Sequence, residues 1–371
     1  MSQLNQPDQA NQLNQPVNLE KFQLLDTVIY IGDDALDKLK TQLSTLKRVF
    51  ILVDVNTLKK CLPQLEKILP EEIELHTLAI TPGEQNKNIQ TAILLWKQLM
   101  QLNVKRNDVL INLGGGMVSD IGAFVAATYK RGIDFINVPT TLLGMADAAI
   151  GGKAGVDFKD VKNQIGIFAH PQSVFIYPPF LETLEARQIR NGFAEIIKYS
   201  LIEKNNLWKQ LQSFSFKELP NEKLIADAAK AKIEIVNKDP EEKGLRKILN
   251  YGHTIGHAFE SLSLMHDKSP ILHGEAIAAG MICEAWLSNQ KTGLSQIDLK
   301  AICDLILKHF PKYIVPKQAD EQLLEFMRQD KKNTQDKIQF SLLRAIGESK
   351  YNVSCSEQEI INALNFYFDL D

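Results

Sequence analysis

Cysteine is scarce in this 371-residue sequence, which contains four of them and no CxxC spacing. A disulfide framework is therefore not expected, and a reducing cytoplasm is the expected location. No apolar run approaches the roughly 18 residues that a membrane span requires, and the N-terminus lacks the apolar region of a secretory signal. Residues 1–18 are rich in Asn and Gln and lack apolar periodicity, which predicts a disordered lead.

An excess of either charge is also missing, since 42 Lys and Arg face 45 Asp and Glu for a net charge of −3. The molecule as a whole has no electrostatic attraction for nucleic acid or anionic membranes, and we expect neither as a partner. Any anion site must therefore be a local cluster of cations. Hydrophobic residues make up 44% and charged residues 23% of the chain, a composition typical of a globular enzyme of about two domains.

Short β-branched runs alternate with helical patterns in the first half. Runs at 48–55, 73–80, 108–113 and 132–138 are typical of strands, and those at 89–102 and 119–130 of helices. This alternation predicts βαβ units and a parallel sheet. Helical periodicity prevails later, at 185–204, 221–238, 245–263, 274–291, 297–309 and 320–329. We predict an α/β domain at 19–182 followed by an all-helical domain at 183–371.

A glycine turn, LGGGMVSD at 113–120, lies between a predicted strand and a predicted helix. Gly114, Gly115 and Gly116 let the backbone approach a pyrophosphate at the helix N-terminus. Ser119 stands where GxGxxG has its third glycine, so a purely structural turn is the alternative. Asp54 ends an earlier strand and can bind a ribose hydroxyl, which favours a dinucleotide.

The connection at 139–163 is long and rich in Gly and Ala, as functional loops often are. Lys153 follows a glycine pair, from which its ammonium can approach a phosphate. Asp147 can accept a hydrogen bond from a sugar hydroxyl, and Lys162 and Asn163 end the segment. For any single residue here, solvated turn chemistry is the alternative.

A polar stripe crosses the apolar segment RKILNYGHTIGHAFE at 246–260. Arg246, Asn250, His253, His257 and Glu260 have the spacing of one helical face. Solvated faces usually carry Lys and Glu, whereas these side chains coordinate metals or bind anions. We expect the stripe to face a cavity.

Two further segments supply candidate metal ligands. Glu195 and Lys198 lie three residues apart on an apolar helix, a spacing that surface ion pairs also explain. His273 begins a later helix, where helix capping is the alternative. One Glu and two His with an open position form a common catalytic zinc shell. The spacing leaves open whether His253 pairs with His257 or with His273.

The ordered motifs GGGxxxD, PTTLL, GGKxG, the Lys-Asn pair, AEIIKY, LNYGHTIGH and LHGEA resemble those of the 3-dehydroquinate synthase family of sugar phosphate cyclases, from about residue 20 to the end. The resemblance implies a Rossmann-like N-terminal domain and a helical C-terminal domain with the active site in the cleft between them. Two positions depart from the family pattern. Gly144-Met145 replaces a more polar Ala-Gln pair, and Val161 precedes the Lys-Asn pair where Gly is usual.

The resemblance also divides the candidate residues by role. It implies zinc, or alternatively cobalt, held by Glu195, His253 and His273, with His257 facing the substrate. It implies NAD bound by Asp54, Asn56, Glu84, Lys87, Gly114, Gly115, Gly116, Asp120, Thr140 and Thr141, near Lys153 and Lys162. It implies substrate bound by Asp147, Lys153, Lys162, Asn163, Lys198, Lys232, Arg246, Asn250 and His257, with Lys331 or Lys332, and with Arg131 reaching a neighbouring subunit in a homodimer.

The activity implied by the resemblance is conversion of 3-deoxy-D-arabino-heptulosonate 7-phosphate into 3-dehydroquinate and phosphate, a step of the shikimate pathway to aromatic amino acids. It combines transient oxidation by NAD, β-elimination of phosphate, return of the hydride and an intramolecular aldol reaction, with zinc as Lewis acid. Arg246 and Lys232 would bind the substrate carboxylate, and Lys153, Asn163 and Arg131 its phosphate.

Three alternatives stay open. A zinc- or iron-dependent polyol dehydrogenase, such as glycerol dehydrogenase, has a similar plan and a GGG turn, but it needs no anion cluster and accumulates NADH. A cyclase of sedoheptulose 7-phosphate has no carboxylate to bind, so Arg246 and Lys232 would be surplus. A non-catalytic metal- or nucleotide-binding protein would not require metal ligands, a nucleotide turn and lysines together.

Overall fold

The computed structural model describes residues 19–159, 161–315, 319–329 and 337–370. The predicted lead at 1–18 and the candidate residues Lys331 and Lys332 lie outside these ranges. The strands are β1 (Glu20–Leu24), β2 (Thr27–Ile31), β3 (Arg48–Asp54), β4 (Glu74–Ile80), β5 (Val109–Gly114), β6 (Asp134–Pro139), β7 (Lys153–Phe158), β8 (Val161–Phe168), β9 (Ser173–Ile176), β10 (Ile338–Ala345) and β11 (Glu348–Cys355). The α-helices are α1 (Ala35–Leu43), α2 (Val55–Lys60), α3 (Leu62–Glu66), α4 (Ile89–Gln101), α5 (Gly116–Thr128), α6 (Ala186–Ile202), α7 (Leu207–Ser213), α8 (Glu222–Lys238), α9 (His253–His266), α10 (His273–Lys291), α11 (Gln296–His309), α12 (Asp320–Gln329) and α13 (Glu357–Asp369).

A seven-stranded sheet forms the centre of the N-terminal half, in the order β1-β2-β9-β6-β5-β3-β4. Its strands pair in parallel except β1, which is antiparallel to β2. Every residue of β5 is buried, and all of β6 except Asp134. Parallel strands buried on both faces require the continuous apolar runs seen in the sequence. The predicted parallel α/β sheet is confirmed.

The chain changes direction within this sheet between β3 and β5. From β3 it continues outward to β4, whereas β5 returns to the other side of β3 and is followed outward by β6. At such a point the connections leave in opposite directions, and a ligand crevice opens at the carboxyl ends of the strands. Asp54 ends β3 and Gly114 ends β5, so both candidate nucleotide residues border this crevice.

The C-terminal half is helix-rich, but the prediction that it is all-helical is wrong. β10 and β11 form an antiparallel hairpin, and most of β10 is buried. A short buried apolar run such as IQFSLLRA has no periodicity that separates a strand from a buried helix. The strand signal was therefore missed.

The segment at 139–163 contains regular structure where the sequence suggested a long loop. A π-helical turn at Gly144–Ala148 carries Asp147, and β7 pairs with β8 in an antiparallel hairpin. Lys153 pairs with Phe168, while Val161 pairs with Phe158. Lys153 and Lys162 therefore lie at opposite ends of one hairpin.

The polar stripe at 246–260 is not one continuous helical face, which corrects that expectation. Leu245–Asn250 form a 3₁₀ helix, and α9 begins only at His253. Gly252 between them has a φ of 80°, in the left-handed region that favours glycine. A Cβ there would lie 2.4 Å from Cγ of Met281 on α10, so close packing of α9 on α10 also requires glycine.

One hydrophobic cluster joins the sheet to the helices, since it includes Ile31 and Val174 as well as Phe193 and Ile277. The predicted boundary after residue 182 falls at the end of the 3₁₀ segment Pro178–Thr183, just before α6. The division into two domains stays a prediction. Among the helices of the described ranges, none has the length and apolarity needed to cross a bilayer.

Candidate active site

Three helices bring together a candidate metal-binding set. Glu195 lies on α6, while His253 and His273 begin α9 and α10, and their ligand atoms lie within 4.8 Å of one another. Nε2 of His253 and of His273 lie 3.6 and 3.4 Å from Oε1 of Glu195. Glu195 is fully buried, and within the described ranges Oε1 meets no donor in hydrogen-bonding geometry. A divalent cation would satisfy this oxygen, so the donor set fits a metal.

Both imidazoles are oriented by a second contact. Nδ1 of His253 lies 3.1 Å from the carbonyl oxygen of Tyr251, and Nδ1 of His273 lies 3.5 Å from Oε2 of Glu260. Each contact leaves Nε2 directed toward Glu195, which is how outer contacts orient metal-bound histidines. Lys162 in turn donates to Glu260 at 2.5 Å. The β7–β8 hairpin is thereby connected to the metal set.

The two rings differ in protonation. Burial lowers the pKa of His253 well below its usual value, and nearby Lys198 lowers it further. Burial also acts to lower the pKa of His273, but contacts with Glu195 and Glu260 outweigh it and raise the pKa to about 9. A metal binds neutral imidazole, so metal binding would displace the His273 proton.

A second group, His257, Glu260 and His273, also has ligand atoms within 4.8 Å of one another. Its carboxylate already pairs with Lys162, whereas Oε1 of Glu195 has no such donor. The donor set with Glu195 therefore fits a metal better. No group uniting Glu195 with His253 and His257 occurs in the part of the chain that the structure describes.

Buried cations lie near this set. Lys198 is 2% exposed and forms an ion pair with Glu195. Lys232 is 6% exposed and donates to both the carboxylate and the backbone carbonyl of Asp147, each at 2.7 Å. The Tyr199 hydroxyl donates to the same carboxylate.

The Asp147 and Lys232 pair has shifted pKa values. Burial acts to raise the pKa of Asp147, but Lys232 and Lys198 hold it well below its usual range. Burial lowers the pKa of Lys232 to about 8, although Asp147 acts to raise it. Asp147 is therefore ionised, and Lys232 changes charge near neutral pH.

Arg246 is a buried cation whose guanidinium is held by backbone carbonyls. It is 1% exposed, and its guanidinium donates to the carbonyl oxygens of Gly151, at 2.8 Å, and of Pro240. No Asp or Glu of the described ranges forms an ion pair with it, and its Nε has no hydrogen-bond partner there. Burial lowers its pKa. A desolvated guanidinium held by backbone carbonyls is suited to bind an anion.

Glu242 belongs to the site although the sequence did not indicate it. Its carboxylate accepts from Lys153 at 2.6 Å and from Asn250 Nδ2 at 2.8 Å. Its φ of 60° is left-handed, a backbone state that the local sequence did not reveal. Tyr199, the partner of Asp147, was missed for a similar reason, because it reads as one apolar position of α6.

The glycine turn between β5 and α5 is closely packed. A Cβ on Gly114 would lie 2.5 Å from Val118, and one on Gly115 would lie 2.9 Å from Thr141. Gly116 begins α5, and the amide of Thr140 donates to the carbonyl of Gly114 at 2.9 Å. The candidate nucleotide residues of β5 and β6 are thus adjacent.

Asp54 has a structural contact besides its predicted role. Its Oδ1 accepts from the amides of Asn56, at 2.7 Å, and Thr57, at 3.0 Å, and so caps α2. Capping of α2 therefore uses Oδ1, one of the two carboxylate oxygens of Asp54.

Lys87 is buried and joins candidate cofactor and substrate residues in one network. Its ammonium lies 2.5 Å from Glu84 and 3.3 Å from Asp120, and donates to Asn163 at 2.8 Å. Asp157, which the sequence analysis did not select, accepts from the Asn163 amide at 2.7 Å. Burial acts to lower the pKa of Lys87, but the surrounding carboxylates raise it. Burial raises the pKa of Asp120 to about 6.

Arg131 is not brought to these residues. It follows α5, whose 13 residues span about 20 Å at 1.5 Å per residue from the glycine turn. It is exposed with a φ of 67° and makes no hydrogen bond or ion pair with the described ranges. Lys331 and Lys332 lie outside those ranges.

Two family descriptions match consecutive parts of the chain. "3-dehydroquinate synthase N-terminal" matches residues 77–191, and "3-dehydroquinate synthase C-terminal" matches residues 192–333. A 3-dehydroquinate synthase of Parabacteroides distasonis is 40% identical over 344 residues, covering 91% of this chain and 97% of the relative. One from Enterococcus faecalis is 38% identical over 343 residues, covering 90% and 94%.

Solved structures share the fold. A 2-epi-5-epi-valiolone synthase of Streptomyces hygroscopicus with NAD+ and Zn2+ bound superposes with a TM-score of 0.84 at 25% identity, covering 96% of this chain and 100% of that one. A glycerol dehydrogenase of Schizosaccharomyces pombe gives 0.62 at 14% identity, covering 91% and 87%. The second value shows a shared fold alone.

Proposed function

Because this chain belongs to the 3-dehydroquinate synthase family, we propose that the site around Glu195 converts 3-deoxy-D-arabino-heptulosonate 7-phosphate into 3-dehydroquinate and phosphate. The observation that carries this assignment is the Glu195-His253-His273 set beside the buried cations Lys198, Lys232 and Arg246. A sugar phosphate carrying a carboxylate requires both a polarising group and several cations.

We propose NAD and a divalent metal, zinc or cobalt, as cofactors, as in the related valiolone synthase solved with NAD+ and Zn2+. Glu195, His253 and His273 would hold the metal. The glycine turn, Asp54 and the network around Lys87 would hold the NAD. When bound, NAD accepts and returns a hydride while the metal polarises a substrate oxygen.

Arg246 and Lys232 are the proposed carboxylate-binding pair. Arg246 is buried and two of its guanidinium nitrogens donate to carbonyls, which supports binding of an anion. Lys232 is positioned by Asp147. Lys153 and Asn163 remain the predicted phosphate ligands; here Lys153 pairs with Glu242 and Asn163 accepts from Lys87, near opposite ends of the β7–β8 hairpin.

Proton transfer is assigned to residues beside the metal set. The ring of His257 lies 5.2 and 5.8 Å from those of His253 and His273, centroid to centroid, so it can exchange a proton with a substrate bound there. Lys198 neutralises Glu195, and Asp147 orients Lys232, which keeps two cations ordered at the site.

A homodimer is proposed because Arg131 cannot reach the site of its own chain. Exposed apolar side chains on α4, Leu94 at 58% and Met100 at 63%, lie on a helix that packs near the end of α5 through a Trp96 to Val125 hydrogen bond. Exposed apolar side chains on this helix support an interface between two copies. The four cysteines are free and buried, which supports the expected cytoplasmic location.

The proposal is tested by measuring phosphate release from the heptulosonate phosphate while absorbance reports NADH. We expect phosphate and dehydroquinate in equal amounts, a need for only catalytic NAD+, and no accumulation of NADH. Stoichiometric NADH would contradict the proposal and favour a polyol dehydrogenase. Activity should disappear with a chelator and return with zinc or cobalt.

A further inference from the structure

Glu284 is a fully buried carboxylate that lies outside the candidate ligand set. It belongs to α10 and accepts two backbone hydrogen bonds from the start of α9. Its Oε2 accepts from the amide of Gly252 at 2.7 Å, and its Oε1 accepts from the amide of Ile255 at 3.2 Å. Each oxygen is used for the same helix end.

This contact replaces a cap that α9 lacks. The N-cap residue is Gly252, which has no side chain to accept the amide of Ile255. In a capping box, the N-cap side chain accepts the N3 amide and the N3 side chain accepts the N-cap amide. Glu284 makes both of these bonds from a different helix. It therefore fixes the first turn of α9 against α10.

The same turn orients a candidate metal ligand. The carbonyl of Tyr251 lies 3.1 Å from Nδ1 of His253, and the Tyr251 hydroxyl donates to the carbonyl of Met281 on α10 at 3.0 Å. The two helices are in close contact, because a Cβ on Gly280 would lie 2.1 Å from the carbonyl oxygen of Gly252. His253 and His273 begin these two helices, so their separation depends on this packing.

We propose that Glu284 is a positioning residue for the metal site. From α10 it supplies the cap that α9 lacks, and it thereby holds the first turn of α9 and His253 in place. This inference rests on the proposed metal set. Outer contacts of this kind typically contribute 10- to 100-fold to metal affinity when the contact reaches the ligand. The carboxylate of Glu284 acts on His253 indirectly, through the backbone amides of Gly252 and Ile255 on either side of it.

The test replaces Glu284 by Gln in the full chain, which keeps the shape but turns an NH₂ toward one of the two amides. Zinc affinity of the metal-free protein is measured by competition with a chromophoric chelator, and the visible spectrum is recorded with Co2+. We expect zinc binding to weaken roughly 10-fold and the Co2+ bands to shift. Ser288→Ala is the matched control, because Ser288 is equally buried on α10 and its hydroxyl bonds the backbone carbonyl of Glu284, at 2.6 Å, and the amide of Leu343, at 2.9 Å, rather than the start of α9.

Thermal unfolding of the metal-free variants separates positioning from general stability. The proposal is overturned if Glu284→Gln lowers Tm as Ser288→Ala does while zinc affinity and the Co2+ spectrum match the unmodified protein. If Glu284→Gln does not fold, Glu284→Asp decides, since it keeps the charge but reaches only one amide, and unchanged affinity there overturns the proposal equally. Failure of the unmodified protein to bind zinc, or full binding by His253→Ala, would instead contradict the proposed metal set.

Discussion

Replacing Arg246 by Met should weaken substrate binding much more than it changes the free energy of unfolding. The change removes a buried charge, whose desolvation costs several kcal/mol. It also leaves the carbonyls of Gly151 and Pro240 without their donor, at about 1–3 kcal/mol each. These effects have opposite signs and similar size. We therefore expect the free energy of unfolding to change by less than about 2 kcal/mol.

Substrate binding should respond much more strongly. Loss of one member of a buried charge pair costs about 2–5 kcal/mol, or roughly 30-fold to several thousand-fold in affinity. The weakly held ketone intermediate should then escape in some turnovers, leaving NADH on the enzyme and progressive inactivation. Steady-state phosphate release gives kcat/KM, absorbance gives stranded NADH, and urea unfolding gives stability.

Arg48→Met is the control, because Arg48 pairs with Asp108 at the amino end of β3, opposite the proposed site. It should leave KM unchanged. The proposed role of Arg246 in substrate binding is refuted if Arg246→Met destabilises the protein by more than about 3 kcal/mol while KM stays constant. Arg246 would then have a structural role, in which it holds the carbonyls of Gly151 and Pro240 together.

Three further predictions concern pH, metal and assembly. Because Lys232 has a pKa of about 8, it is charged below that pH, and kcat/KM should fall as pH rises through it. Lys232→Arg should retain activity to higher pH, and an unchanged profile would exclude this role. His257→Ala should keep about one metal per chain while lowering turnover, and metal loss would implicate His257 as a ligand. Mixed Arg131→Ala and Glu195→Gln chains should regain activity in heterodimers, and absence of recovery in proven heterodimers would argue against a shared site.

Much of the fold could be predicted because its determinants are local. Buried parallel strands require continuous apolar runs, and the turn at Gly114–Gly116 needs residues without side chains, so both leave a mark at fixed positions. The exceptions include β10, whose buried run has no distinctive period, and the β7–β8 hairpin, where the sequence suggested a long loop. Candidate metal ligands could also be selected from the sequence, because His and Glu residues stand out in segments that are otherwise apolar.

The tertiary structure alone decided which of these residues meet. Glu195 is far in sequence from His253 and His273, and only packing of α6, α9 and α10 puts their ligand atoms within 4.8 Å. Periodicity shows which face of a helix is apolar but not what lies opposite it. The bond of Arg246 to the Gly151 carbonyl, the ion pair of Glu242 with Lys153 and the cap that Glu284 supplies to α9 all join segments distant in the chain. Such contacts depend on the relative placement of elements, a property that no local pattern of residues encodes.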